Sequence, residues 1–209
     1  MGLYDSSFII VFGDHGEAFY EHELWQHAVT VYEEMIAIPL IVKWPGKSPT
    51  GRSSVPAHQV DILPTILETV GVPAPFHQGT SLRRLVTNPT DVSRILVSEA
   101  GWMSSSRAFM KVAFRDGALK YVAHYEDDAS RSWPPQPRVE EELFDLAKDA
   151  SERRNIVRKS EEQRTAFLHH LQSFLDEAAR RRPQHAGEPV ILDDATRKRL
   201  EALGYLQRQ

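Results

Sequence analysis

Apolar positions along this chain fall into runs of distinct rhythm, and each rhythm predicts a different element. Phe8-Ile9-Ile10-Val11-Phe12 is continuous, β-branched and aromatic, and it closes on Gly13. Such a run predicts a strand buried on both faces. Ile38-Pro39-Leu40-Ile41-Val42, stopped by Trp44-Pro45-Gly46, predicts a second strand. A short helix or turn over residues 29–35 is expected between them. After a loop over residues 46–56, Ile62, Leu63, Ile66, Leu67 and Val70 recur at helical spacing. Asp61 can cap that helix, Pro64 fits in its first turn, and Gly71 supplies the stop. Ile95-Leu96-Val97 predicts another strand.

The rhythm changes near Ala108. Residues 110–115 and 119–125 flank Asp116-Gly117, a strong hairpin signal. Residues 141–146 predict a third antiparallel strand after the Pro-rich loop over 133–137. Ser160 with Gln163 forms a capping box for a helix whose Phe167, Leu168, Leu171, Phe174 and Leu175 share one face. A last helix is expected over about residues 194–203. The succession predicts an α/β part over residues 1–107 and a small antiparallel α+β subdomain over residues 108–209.

Composition narrows the partners. The 209 residues carry a net charge of −4, which gives no reason to expect nucleic acid. Arg180-Arg181-Arg182 and Arg197-Lys198-Arg199 have acidic neighbours and read as solvated helix faces. With no cysteine, disulfides, thiolate metal sites and a cysteine nucleophile are excluded. The longest apolar runs are far too short to span a bilayer. Met1-Gly2-Leu3-Tyr4-Asp5 has neither the charged nor the apolar region of a signal peptide, and the chain enters a core strand almost at once, as if cut.

The candidate chemistry follows the first strand. In open α/β sheets, ligands bind beyond the carboxyl ends of the strands. Asp14-His15-Gly16 stands there, and a carboxylate with an imidazole can share a divalent cation. The plainer reading of the pair is an N-cap aspartate beside a histidine that bonds nearby backbone. Two adjacent ligands do not close a site, so others must come from elsewhere. His22 and His27 follow, interleaved with Glu17, Glu21 and Glu23. His27 could donate to a bound anion or protonate a leaving group. Tyr32-Glu33-Glu34 is expected to pack beneath this loop without chemistry of its own. His58, His77, His124, His169 and His170 have no ligand-like neighbours at useful spacing. Trp102, Trp133 and Tyr125 are candidate lining residues.

Taken in order, these segments resemble the sulfatase family of the alkaline phosphatase superfamily. The resemblance rests on Asp14-His15-Gly16, Glu21-His22, Trp25, His27, Tyr32-Glu33 and Pro39-Leu40-Ile41-Val42. It continues through residues 60–67, Gln78-Gly79-Thr80-Ser81-Leu82, Glu142-Leu143-Phe144-Asp145-Leu146 with Asp149, Glu152 and Asn155, and Leu203-Gly204-Tyr205. It implies the C-terminal part of an alkaline-phosphatase-like sheet sandwiched by helices. It further implies a metal-dependent hydrolase of sulfate esters, with Asp14 and His15 as ligands of a divalent metal, calcium before manganese or zinc. His27 would contact the sulfate or leaving oxygen.

The family's nucleophile is a formylglycine made within a Cys/Ser-x-Pro-x-Arg motif, which belongs upstream of everything matched here, as do two further aspartate ligands. Ser48-Pro49-Thr50-Gly51-Arg52 has the wrong spacing, and Ser104-Ser105-Ser106-Arg107 lacks the proline. Tyr20 and Glu23 stand where glycines usually bracket the Glu-His pair. The expectation is therefore a fragment that needs an N-terminal half and is inactive alone. A related phosphodiesterase, phosphonate monoester hydrolase or phosphoethanolamine transferase, acting on phosphate-type esters, is one alternative. A non-catalytic metal-binding or structural remnant is another. Many sulfatases are exported, but compartment is open from this sequence.

Overall fold

A computed structural model describes residues 2–27, 29–46, 50–75, 77–88, 94–103, 108–127, 138–181 and 192–202. Residues 1–175 form one compact unit and residues 176–209 a second. Within the first, a short helix α1 (Leu3–Ser6) precedes β1 (Ile9–Phe12), and a small hairpin follows from β2 (Ala18–Phe19) and β3 (Trp25–Gln26). Next come α2 (Glu33–Ile36), β4 (Leu40–Lys43), α3 (Ile62–Val70) and α4 (Leu82–Thr87). Four long strands follow: β5 (Leu96–Met103), β6 (Ala108–Asp116), β7 (Leu119–Asp127) and β8 (Arg138–Asp145). Helix α5 (Glu161–Arg181) ends the first unit and enters the second, which also holds α6 (Asp194–Ala202). The mixed α/β fold is the one expected.

β5, β6, β7 and β8 form an antiparallel sheet in that order. The Ile95–Val97 signal thus marks the start of this sheet's first strand. Asp116 pairs with Leu119, so Gly117-Ala118 makes the two-residue turn, with Gly117 at φ 55° in the first central position. Period-two alternation then sorts the side chains. Met110, Val112, Phe114, Tyr121, Ala123, Tyr125 and Leu143 face one side, where Phe167, Leu171 and Leu175 of α5 cover them. The expected apolar face of that helix is the one buried. Tyr125 belongs to this core, which removes it as a lining residue; the Trp102 side chain and Trp133 lie outside the described residues.

The opposite face has a smaller apolar centre, Ala113, Val122 and Phe144, packed against Val31, Tyr32 and Ile36. Around it stand Arg115, Lys120, His124 and Glu142, charged or polar side chains on a covered surface. Lys120 is fully buried.

β1 departs from expectation. It pairs antiparallel with β4, placing Val11 opposite Ile41, and both are well exposed, at 57% and 64%. The run expected to be buried on both faces therefore is not. Among the described residues it has a single strand neighbour, and a two-stranded pair cannot cover its own faces. No helix among the described residues is long and apolar enough to cross a membrane.

Asp61 also differs. It makes no side-chain cap to α3; its fully buried carboxylate instead accepts the His58 and Thr80 backbone N–H groups at 2.7 and 2.8 Å. Both its oxygens also take Arg94 guanidinium bonds at 2.9 Å. This hub ties the start of α3 to the following loop and to the approach to β5. Gly79 permits the close passage, since a Cβ there would lie 2.0 Å from the Val60 carbonyl oxygen. Gly71 ends α3 in the left-handed region, as expected.

Candidate metal and ester site

The site begins where β1 stops. The Gly13 N–H donates to the Pro39 carbonyl and the Gly16 N–H to the Met35 carbonyl, so the Asp14-His15 turn is stitched to the segment before β4. Gly16 is required there: a Cβ would lie 2.0 Å from the Glu34 carbonyl oxygen. The Gln59 amide donates to the Asp14 carbonyl at 2.6 Å and fixes the turn from the other side. Sequence reasoning gave Gln59 no role, because nothing local marks it.

The His15 Nδ1–H donates to the Gly16 carbonyl at 2.7 Å, leaving Nε2 to face the Asp14 carboxylate at 3.9 Å. An imidazole held by one nitrogen with the other turned toward a carboxylate is the arrangement metal-binding histidines adopt. The Asp14 side chain is 82% exposed, so water or further ligands can reach it. A carboxylate and an imidazole so placed are donors of the kind that can supply part of a divalent cation's coordination.

His27 comes to the same place. Its ring stacks on that of His15, centroids 4.6 Å apart, and its Nδ1 meets Glu17 at 2.9 Å. The hairpin of β2 and β3 brings the pair together by turning the chain through residues 20–23. Tyr20, His22 and Glu23 have φ of 82°, 50° and 60°, all in the left-handed region. Tyr20 and Glu23 thus keep the backbone that glycine would adopt at the positions where it was expected. Backbone N–H groups of Glu21 and Phe19 hold the Glu21 carboxyl below its ordinary value.

His22 does not join the site. It bonds Glu34 at 2.8 Å and the Glu152 carbonyl at 3.2 Å, and stacks on Tyr32 at 3.9 Å. Tyr32-Glu33-Glu34 docks the loop onto the charged face of the sheet. The Tyr32 hydroxyl donates to Glu142, which also meets His124 at 2.7 Å. Burial pushes Glu142 up, but the His124 bond and charge, Tyr32 and Lys111 outweigh it and hold the carboxyl below its ordinary value. Burial and Glu142 push the Tyr32 hydroxyl well up, so it remains a donor. Glu33 meets Arg115 at 3.1 Å and Lys120 at 3.0 Å, while Glu152 meets Lys120 at 2.7 Å and accepts the Glu33 N–H at 2.6 Å. A cleft of about 700 Å³ opens beside this foot, lined by Asp14, His15, Glu33, His58, Gln59 and Arg115 among others.

The comparisons with known proteins point the same way. A family model described as Sulfatase matches residues 1–72. Arylsulfatase K of Xenopus laevis is 29% identical over 184 residues, covering 84% of this chain and 32% of that protein. Human arylsulfatase K is 30% identical over 169 residues, 76% of this chain and 29% of its own length. These matches support a C-terminal portion of the sulfatase family. It spans about a third of the length of these curated relatives. A solved 2-O GAG sulfatase has the same fold at TM-score 0.64 and 20% identity, over 91% of this chain and 43% of that one. Sulfatases generally depend on a divalent metal.

Proposed function

We propose that this chain is the C-terminal, metal-holding part of a sulfuric ester hydrolase. The observation that carries the reading is the convergence of Asp14, His15 and His27 at the end of β1, in a sulfatase-family chain. Asp14 and the free Nε2 of His15 would hold the metal, calcium by family resemblance. When bound, the metal would offset negative charge on a sulfate oxygen, an effect of the kind that dominates such sites. His27, oriented by Glu17, hydrogen-bonds the ester or gives a proton to the departing oxygen. The Gly16 contact, the Gln59 bond and the Tyr32-Glu33-Glu34 foot keep these side chains in register.

The covalent step requires a nucleophile that this chain does not supply, so the chain by itself is expected to be inactive. The open faces and edge of the β1–β4 pair are where a complementary N-terminal part would add its strands. Calcium and manganese titrations by calorimetry test the metal assignment directly. Saturable heat that disappears in an Asp14→Ala, His15→Ala variant is expected. Equal heat in that variant would remove both residues as ligands, and no heat in the parent would favour a remnant without metal.

A further inference from the structure

Glu17 has no role in the sequence reading beyond its place among the acidic residues of the loop, yet it faces both site histidines. One ligand atom from each of His15, Glu17 and His27 can be chosen so that all three lie within 4.8 Å of one another. Ligands about 2.0–2.1 Å from a tetrahedral zinc stand about 3.3 Å apart, so small side-chain rotations close the set. Two imidazoles with one carboxylate suit first-row transition cations, whereas calcium prefers an all-oxygen shell. The His15 bond to the Gly16 carbonyl at 2.7 Å already fixes one ring as an outer partner would. All three side chains are partly exposed, which leaves room for water in the open positions.

We infer that His15, Glu17 and His27 form a second cation site, selective for zinc-type metals, that regulates the ester site by taking His15 and His27 away from it. The inference rests on the reading of Asp14, His15 and His27 given above. The two sites share His15, so they exclude each other: zinc weakens calcium binding, and calcium weakens zinc by the same factor.

Zinc ions alone, titrated into the 209-residue chain by calorimetry with histidine ring proton spectra recorded in parallel, give the test. One zinc per chain is expected, with the His15 and His27 resonances moving together. Glu17→Ala and His27→Gln should each weaken zinc at least about tenfold, since even an outer partner is worth that much. Asp14→Asn should weaken zinc less than either of those changes while it removes calcium. Circular dichroism checks that each variant is folded; Glu17 is partly exposed, in the loop before β2. Unchanged zinc affinity in both Glu17→Ala and His27→Gln, as when zinc sits on His169 and His170, overturns the proposal. So does loss of zinc in Asp14→Asn. Calcium binding indifferent to Asp14→Asn would instead overturn the assignment of the ester site.

Discussion

Lys120→Met should be the most damaging single change beneath the site. Lys120 and Glu152 have fully buried side chains 2.7 Å apart, and Lys120 also meets Glu33 at 3.0 Å. Burial is the larger influence on Glu152 and pushes its carboxyl above the ordinary value, against the pull of Lys120. Breaking a buried pair costs about 3–5 kcal/mol because one charge is left uncompensated. Here Glu152 keeps the Glu33 N–H and can take up a proton, so about 3 kcal/mol is expected near neutral pH. With urea slopes of about 1–3 kcal/mol/M, the midpoint should fall by about 1–3 M.

The deficit should also depend on pH with a definite sign. Without Lys120 the folded-state value of Glu152 rises further above the unfolded one. The neutral carboxyl is then the form the fold prefers, so stability is complete below the unfolded value and is lost as pH rises through the folded one. Urea curves at acidic and neutral pH should show the Lys120→Met deficit shrinking on acidification. Adding Glu152→Gln should recover at least about 1 kcal/mol, the signature of coupled neighbours. A loss below about 1 kcal/mol, or a deficit that is independent of pH and additive with Glu152→Gln, would refute the argument.

Other changes probe other joints. Gly16→Ala drives a methyl into the Glu34 carbonyl; a loss of about 3 kcal/mol should lower the melting temperature by about 6–12 °C, and an unchanged melt would mean the turn is not held against Glu34. The Glu142 carboxyl, held below 4.5, contributes stability that is complete above that value and lost as pH falls through its folded value. Glu142→Gln should therefore flatten the acid limb of the urea-midpoint profile, and an identical limb would contradict the His124–Glu142–Tyr32 account. Glu23→Gly removes a side chain from the left-handed region and should raise stability by about 0.5 kcal/mol in urea; a loss would show that the loop does not hold φ 60°. Exposed Val11 and Ile41 should make the isolated chain associate. Sedimentation should show species larger than a monomer that Val11→Lys with Ile41→Lys disperses, and a monomeric parent would contradict this.

The sequence made the locally encoded elements legible. The hairpin at Gly117, the buried face of α5 and the end of α3 at Gly71 depend on turn chemistry or on spacing within one element. The Asp14-His15-Gly16 turn stood out because a strand, a carboxylate and a glycine are contiguous. Tyr32-Glu33-Glu34 packs beneath the loop as expected, but its docking on the sheet was not legible, because Arg115, Lys120, Glu142 and Glu152 lie more than eighty residues away. Charged residues alternate with apolar ones on β6 to β8, and only the fold shows the charged face covered. Asp61 looked like a helix cap for the same reason: beyond the nearby His58 N–H, its partners Thr80 and Arg94 are distant in sequence. The β1 run looked buried because composition reports how apolar a strand is, whereas its cover comes from neighbours.

The most direct measurement is sulfate release from an aryl sulfate by the polypeptide encoded when the reading frame upstream of the Met1 codon is included. An uninterrupted frame with two early aspartates and a Cys/Ser-x-Pro-x-Arg motif, whose product releases sulfate and loses about 10²–10⁴ in rate with His27→Ala, is the expected result. A stop just before Met1, or a product that cleaves only phosphate esters and is indifferent to His27→Ala, would contradict the account.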